Sequence, residues 1–470
     1  MATDLEKAYK ALSGKAAVYK RLFDYYDGEQ PLLYTNKRLE EIFRGMDAVF
    51  VENWCAVVID SVRDRINLRG IRVGAGAQSR WEELWDESQL KLESDDVHEA
   101  VLVAGESFIV AWPDEGGEPQ AYFNDPRLCH VFYDPENPRI KRFAAKWWVT
   151  EEETARLTLY YPDRLEYYGT KNKFNGVSSA RAFLPLEEPQ AENPYGQIPV
   201  FHFRLGRRSG GAIKSDLKNV IPVQNGINKL LTDMMVAAEY GAFKQRYIIS
   251  NADVGGKLKN APNEIWDLPA GDGMSQQTQA GQFDATPLDN YLKAIENLST
   301  AVSSITRTPK HYFFSVGSNL SGESLTAMEA PLNKKAQDRI DRFIPEWKEV
   351  ARFMMLVARV EVGIRDIAIE FDAPEMVQPR TEAETREINV RAGMPLVTAC
   401  RESGWNQEQI DKMLKDKEEE AKRNKSTLAQ SLLEAQRRFD QGGNSVNSKQ
   451  STVNSNQGNG NQALGAKAPG

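Results

Sequence analysis

The chain has 470 residues, 41% of them apolar and 27% charged, with a net charge of −8 and a pI near 5.4. That length leaves room for two or three domains, and the composition is that of a globular protein in water. The acidic balance excludes a global basic field that would hold nucleic acid tightly. It remains compatible with DNA that slides, because every fixed phosphate contact releases counterions and grips the duplex.

The three cysteines, Cys55, Cys129 and Cys400, are far apart in sequence and read as reduced thiols with no metal framework. The opening MATDLEKAYKALSGK lacks the basic-then-apolar order of a signal peptide. No run of about 18 apolar residues predicts a membrane span.

In chain order, Leu5 to Tyr26 predicts a helix closed by YYDG, where Gly28 supplies a positive φ. Lys37 to Ile66 reads as one long amphipathic helix, weakened in the middle by Gly45. Its polar end carries Asp60, Arg63, Asp64 and Arg65, read as intrahelical pairs on a solvated face. Ser94 to Gly105 predicts another helix, capped by Ser94.

From Glu106 to Arg204 the period changes to two. SFIVAW, QAYFN, HVFYD, AAKWWV, ARLTLYY, RLEYYG and IPVFHFR are short aromatic and β-branched runs between Pro, Gly, Asp and Asn clusters, which predicts an antiparallel β module. Trp147, Trp148, Tyr160, Tyr161, Tyr167 and Tyr168 invite a base-stacking reading. Few cations interleave with those rings, so strand packing is the better account. RLGRRSGGAIK, with Arg204, Arg207 and Arg208, reads as a solvated basic linker.

Ser215 to Pro309 holds two apolar helical segments around a Gly-rich excursion. Val220 to Phe243 predicts a helix of about 36 Å, and Leu288 to Arg307, between Pro287 and Pro309, one of about 30 Å. Between them RYIIS and NEIWDLP are expected to pair as short strands in a projecting αβ tip. After an aromatic knot, KHYFF, and a Gly/Ser/Asn loop, a helix opens at Ser321 or Gly322 and is expected to bend or restart at Pro331 and Pro345. Its stripe of Ile340, Phe343, Ile344, Trp347, Val350, Met354, Val357 and Val360 predicts packing on the platform. IAIEFD reads as a strand, Thr381/Glu384 and Asn406/Gln409 as capping boxes, Gln407 to Phe439 as a charged helix, and the chain from Gln441 as disordered.

Chemical signatures are sparse. HExxH, the phosphate-loop GxxxxGK[ST] and GxSxG are absent, and VGAGAQS lacks the third glycine of a dinucleotide loop and reads as a turn. His98, His130, His202 and His311 are scattered and read as structural. Asp125, Asp134 and Glu136 are the acidic cluster in the β module that a metal-dependent nuclease would use, and the prolines beside them favour turns. These residues make no positive case for an enzyme, a metal or a cofactor.

YYDG at Tyr25, NWCAVVIDSVRDRI at Asn53, IPVFHFR at Ile198 and SDLKNVIPVQNGINKLLTDMM at Ser215 carry a family resemblance. So do DATPLDNYLKAIENLSTAVSSITRTP at Asp284 and LSGESLTAMEAPL at Leu320. Over most of Met1 to Asp372 the chain resembles the portal proteins of tailed bacteriophages, in the siphovirus-like branch. The resemblance implies an α+β portal-type fold with a mixed α/β wing, two long stem helices, a small αβ clip and a helical crown. The wing would be residues 1–211, stem helix 1 212–245, the clip 246–286, and stem helix 2 287–309. The tunnel loop would be 310–321, a long kinked helix returning to the wing 322–380, the crown 381–440, and a disordered tail 441–470.

The resemblance further implies a homo-oligomeric ring, a dodecamer, at one capsid vertex of the virion, assembled in the host cytoplasm. Double-stranded DNA would pass through its channel during packaging and ejection. Terminase, head-tail adaptor, major capsid and scaffolding proteins would be its partners, and no membrane or cofactor is expected. The loop nearest DNA would be Lys310, His311, Tyr312, Phe313, Phe314, Ser315, Val316, Gly317, Ser318, Asn319 and Leu320, with Lys310 its one fixed charge. Lys229, Asp233, Lys293 and Glu296 are stem candidates for the channel lining. Lys257, Lys259, Glu264, Trp266 and Asp267 are clip candidates for partner binding. The competing readings are an oligomeric virion connector or adaptor without a DNA channel, and the nuclease.

Overall fold

The first helix, α1 (Asp4–Tyr26), starts at a reciprocal cap. Glu6 N–H donates to the Thr3 hydroxyl at 3.2 Å, and Thr3 N–H donates to the Glu6 carboxylate at 3.0 Å. It stops where Gly28 takes φ +82°, as the sequence predicts. The computed structural model describes residues 3–31, 51–74, 76–173, 179–206, 214–242, 246–249, 279–314, 322–375, 379–403, 405 and 407–442. These fall into two compact units, one running to Met376 and the other beginning at Val377.

In the first unit α1 is followed by α2 (Trp54–Arg63), β1 (Leu68–Arg72), α3 (Gln78–Glu87) and α4 (Leu90–Ala104). The single helix expected over Lys37 to Ile66 is interrupted. Asn53 sits at φ −86°, ψ 76°, and its side chain caps α2 by accepting Ala56 N–H at 3.3 Å. An Asx oxygen so placed competes with helix continuation; residues 32–50 lie outside the described set. Ser94 is likewise not a cap: α4 already begins at Leu90, and the buried Ser94 hydroxyl bonds back to Lys91 O at 2.8 Å. Gly105 closes α4 at φ +91°.

The β module contains β2 (Glu106–Pro113), β3 (Pro119–Asn124), β4 (Cys129–Tyr133), β5 (Lys141–Val149), β6 (Ala155–Tyr160), β7 (Arg164–Thr170), β8 (Phe183–Glu192) and β9 (Val200–Arg204). Every expected run is a strand. The mostly exposed β8, whose sequence is dominated by Glu and Pro, escaped the sequence reading. All pairings are antiparallel, in a three-stranded sheet ordered β3-β2-β9 and a five-stranded sheet ordered β4-β5-β6-β7-β8. Registers Trp147↔Leu157 and Leu157↔Tyr168 put one face of the larger sheet against Ala8, Tyr9 and Leu12 of α1. Tyr9 meets the Trp147 ring edge-on at 6.0 Å, so Trp147 serves packing, as expected.

Beyond the sheets come α5 (Ile221–Ala242), β10 (Arg246–Ile249), β11 (Gln279–Gln282), α6 (Asp289–Thr306), α7 (Gly322–Val357) and β12 (Ala368–Phe371). Strand β10 pairs with β11, not with NEIWDLP, which lies outside the described residues. Helix α7 runs unbroken through Pro331 and Pro345. Burial of its stripe, with Phe343, Trp347, Val350 and Met354 all at 0% exposure, outweighs the lost backbone bonds. That stripe packs on the smaller sheet, where the Phe203 and Trp347 rings lie 5.0 Å apart. Strand β12 closes the unit by pairing antiparallel with β1.

The second unit holds α8 (Pro379–Arg391), α9 (Leu396–Glu402) and α10 (Gln407–Gly442). Thr381 is already inside α8 and is not its cap, while Asn406 lies outside the described residues, as do 443–470. Helix α9 was not foreseen. Its Ala399 and Cys400 are buried, and the Arg386 guanidinium of α8 stacks 4.9 Å from the Trp405 ring.

Candidate functional site

Helices α5 and α6 form an antiparallel hairpin. A Cβ on Gly226 would lie 3.3 Å from Leu298 Cδ1, so glycine eases the approach there, while one on Gly241 would make an ordinary 3.6 Å contact with Ala285 Cβ at the other end. Ile227, Ile295 and Val302 are buried between the hairpin and the body, whereas Leu292 is 53% and Ile305 49% exposed. At the tip the Tyr247 and Phe283 rings lie 5.2 Å apart, and Ile249 is 61% exposed. Of the stem candidates, Lys229 and Asp233 pair with each other one turn apart on α5, while Lys293 and Glu296 stand exposed on α6. The clip candidates Lys257, Lys259, Glu264, Trp266 and Asp267 lie outside the described residues.

Helix α6 ends sharply. Arg307 takes φ +63°, the Ser303 hydroxyl donates to Thr308 O at 2.7 Å, and Thr306 Oγ1 donates to Thr308 Oγ1 at 3.0 Å. Pro309 then sets a short 3₁₀ turn, Lys310–Tyr312. Four of the five described loop candidates are committed to the body. Phe313 is 5% exposed with its ring edge-on to Trp54 at 5.1 Å, Tyr312 accepts from Arg65 at 2.9 Å, and His311 Nε2 donates to Glu329 Oε1 at 2.8 Å. Phe314 packs partly buried against the main core, and Lys310 is exposed. Ser315, Val316, Gly317, Ser318, Asn319 and Leu320 lie outside the described residues.

Arg65, expected on a solvated face, is largely buried. Its side chain is 11% exposed and ties α2 to Tyr312, Glu329 and Asn333. Arg63 does pair with Asp60, at 3.2 Å, but its shorter contact is Glu99 of α4 at 2.6 Å. Arg204 is not a linker residue either. It belongs to β9, with its guanidinium 4.7 Å from the Tyr133 ring; Arg207 and Arg208 lie outside the described residues.

The acidic cluster is engaged in turns. Arg127 Nε lies 3.0 and 2.9 Å from the two Asp125 oxygens. Asp134 accepts Glu136 N–H at 2.8 Å and Asn137 N–H at 3.0 Å, bonds that hold its carboxyl below the usual range. Glu136 is exposed, and among the described residues no group of three His, Cys, Asp or Glu is arranged to hold a metal.

The histidines have other work. His98 is buried with its ring stacked on Phe343 at 5.1 Å. His130 Nδ1 lies 3.5 Å from Lys15 Nζ. His202 Nε2 donates to Glu106 at 2.8 Å, and Tyr133 O–H lies 3.1 Å from its Nδ1. Glu106, fully buried, also takes Tyr19 O–H at 2.7 Å and Lys15 Nζ at 3.1 Å. Burial alone would raise its carboxyl; Lys15, and then the His202 hydrogen bond, outweigh it and hold the group well below the usual range. This network fastens α1 to both sheets.

A helical hairpin with a β pair at its tip, followed by an anchored turn over residues 310–314, can line a passage or grip a partner; among the described residues it holds no reactive constellation. The family model for phage portal proteins of the SPP1 Gp6-like type matches residues 13–423. The chain belongs to that family. No curated protein matches it. A portal protein is a structural virion component, and membership implies oligomeric assembly with capsid and packaging partners at the capsid vertex. Among the described residues of this portal protein no helix is long and apolar enough to cross a membrane. The sequence suggests a solvated face for Arg65 and nothing for Glu329 or Asn333, because their meeting joins separate stretches with no local pattern.

Proposed function

We propose that the chain assembles into a dodecameric ring whose central channel passes double-stranded DNA into the capsid during packaging and out during ejection. The hairpin α5–α6 is the stem, the β10–β11 tip with residues 250–278 is the clip, and the loop from Lys310 to Leu320 lies nearest DNA. The clip candidates and the tip face the packaging terminase and later the head-tail adaptor. The helices after Thr381 form the crown. The wing meets the capsid and scaffolding proteins.

The observation that carries this reading is the half-covered hairpin. Leu292 and Ile305 remain about half exposed on a helix whose other face is buried. Each such side chain gains about 1 kcal/mol when a neighbouring copy covers it. The described part of the loop has Lys310 as its exposed cation, which suits a surface that touches phosphates weakly and lets the duplex slide. Negative-stain imaging of the purified chain, joined to packaging assays in infected cells, tests the proposal. Rings with a central hole, and empty capsids when the gene is removed, are expected; monomers or closed assemblies without a hole would overturn it.

A further inference from the structure

We infer that Arg65 is the positioning residue that fixes the separation of the two chain segments flanking residues 315–321. The inference rests on the reading of that stretch as the loop nearest DNA. Arg65 leaves the C-terminal end of α2, and its guanidinium is shared among three parts of the chain. NH1 donates to Ser61 O at 2.7 Å, which anchors the group to the last turn of α2. NH2 donates to the Tyr312 hydroxyl at 2.9 Å, on the segment leading into the loop. Nε donates to Asn333 Oδ1 at 2.9 Å, and NH2 pairs with Glu329 Oε2, both on the segment leading out.

The Glu329 carboxylate doubles the link, since its other oxygen takes His311 Nε2 at 2.8 Å. The incoming and outgoing segments therefore meet on one cation and one anion, with side-chain exposures of 11% and 20%. The other end of α2 adds a third point, Trp54 against Phe313 at 5.1 Å. Helix α7 needs such a tether. Leu325, Thr326 and Ala327 are exposed, whereas Leu332 and Asn333 are buried, so the helix joins the body at the turn that Arg65 holds. At that turn Pro331 offers no N–H to the carbonyl of Ala327, which leaves the side-chain contacts more of the alignment. A planar fork reaches Tyr312, Glu329 and Asn333 together; a lysine ammonium at the same place does not span all three.

The test uses the full-length chain with spin labels at Lys310→Cys and Ala327→Cys, diluted into unlabelled chain so that only distances within one subunit are read. The native cysteines are buried, and burial pushes the Cys55 and Cys129 thiols up to about 12, which keeps them out of labelling. With Arg65 present the label-to-label distance is expected to be single and narrow. Arg65→Met and Glu329→Gln should broaden it while circular dichroism and assembly stay unchanged, and Arg65→Lys should not restore it. If Arg65→Met does not fold, Tyr312→Phe and Asn333→Ala each remove one bond and should each broaden the distribution. A narrow distribution in the folded variants, or full rescue by Arg65→Lys, would overturn the inference. DNA retention in filled particles is scored separately. A broadened distance with unchanged retention supports Arg65 as the positioning group and sinks the placement of the loop on DNA.

Discussion

Trp347 donates its indole N–H to His98 Nε2 at 3.1 Å, between two side chains that are both fully closed off from solvent. The contact joins α4 to the middle of α7, and it decides the protonation of the imidazole, because a nitrogen that accepts a hydrogen bond carries no proton. Burial first, and then the Lys91 ammonium, push the His98 pKa down to about 3.

A depressed histidine pKa makes the fold acid-sensitive. The unfolded chain takes up the proton at about pH 6.5, so this contribution is complete above that value and is lost as pH falls toward about 3, by at most about 1.4 kcal/mol per pH unit. Burial lowers His202 as well, and it adds in the same direction. Urea unfolding between about pH 7 and about pH 5 should show stability falling with acid. His98→Gln, which keeps an acceptor for the indole, should flatten that slope; an unaltered slope would remove His98 from the titration.

Removing the Glu106 carboxylate should strand a cation. Lys15 is 11% exposed and bonds Glu106 and Cys129 O, so Glu106→Ala leaves its ammonium without the buried anion. A loss of about 3–5 kcal/mol is expected from the shift in denaturation midpoint. The pair Lys15→Met and Glu106→Gln should cost less together than the sum of the two alone, since each single change leaves the other charge unmatched.

Substitutions on the exposed face of α6 should separate folding from assembly. Leu292→Arg and Ile305→Arg replace side chains that are about half exposed in the single chain. Sedimentation velocity should find the oligomer lost, with helix content by circular dichroism retained. Intact rings carrying both substitutions would move the subunit interface away from this face of α6.

Close approach of α5 and α6 should make Gly226 intolerant of bulk. A Cβ there already meets Leu298 Cδ1 at 3.3 Å, so the added bulk of Gly226→Val is expected to displace that side chain. A destabilisation of about 1–3 kcal/mol is expected from thermal unfolding. The companion change Leu298→Ala should relieve part of it.

Much of this portal protein was legible before its fold was known. The strand runs of the β module keep one face apolar at period two, as Trp147 and Leu157 show. The stop at Gly28 needs a positive φ that glycine adopts without a Cβ clash. The long motifs around Ser215 and Asp284 carried the family. Less was legible of the candidate site. Residues 310–314 form an anchored turn, and the sequence offered no reason to connect Tyr312 with Arg65, just beyond α2.

The sequence by itself determined where most helices and strands form, β8 and α9 excepted, because hydrophobic period, capping groups and Gly or Pro stops act within a few residues. Even there, a local side chain started α2 at an Asn53 cap inside one expected helix, and burial carried α7 through two prolines that local rules would have used as breaks. Only the tertiary structure decided which strands share a sheet, that β12 returns to β1, and that Glu106 collects Lys15, Tyr19 and His202. It alone distinguished Arg65 from its neighbours. An arginine at a helix end has the same sequence signature whether it faces water or joins three segments, and the difference lies in partners brought close by chain folding.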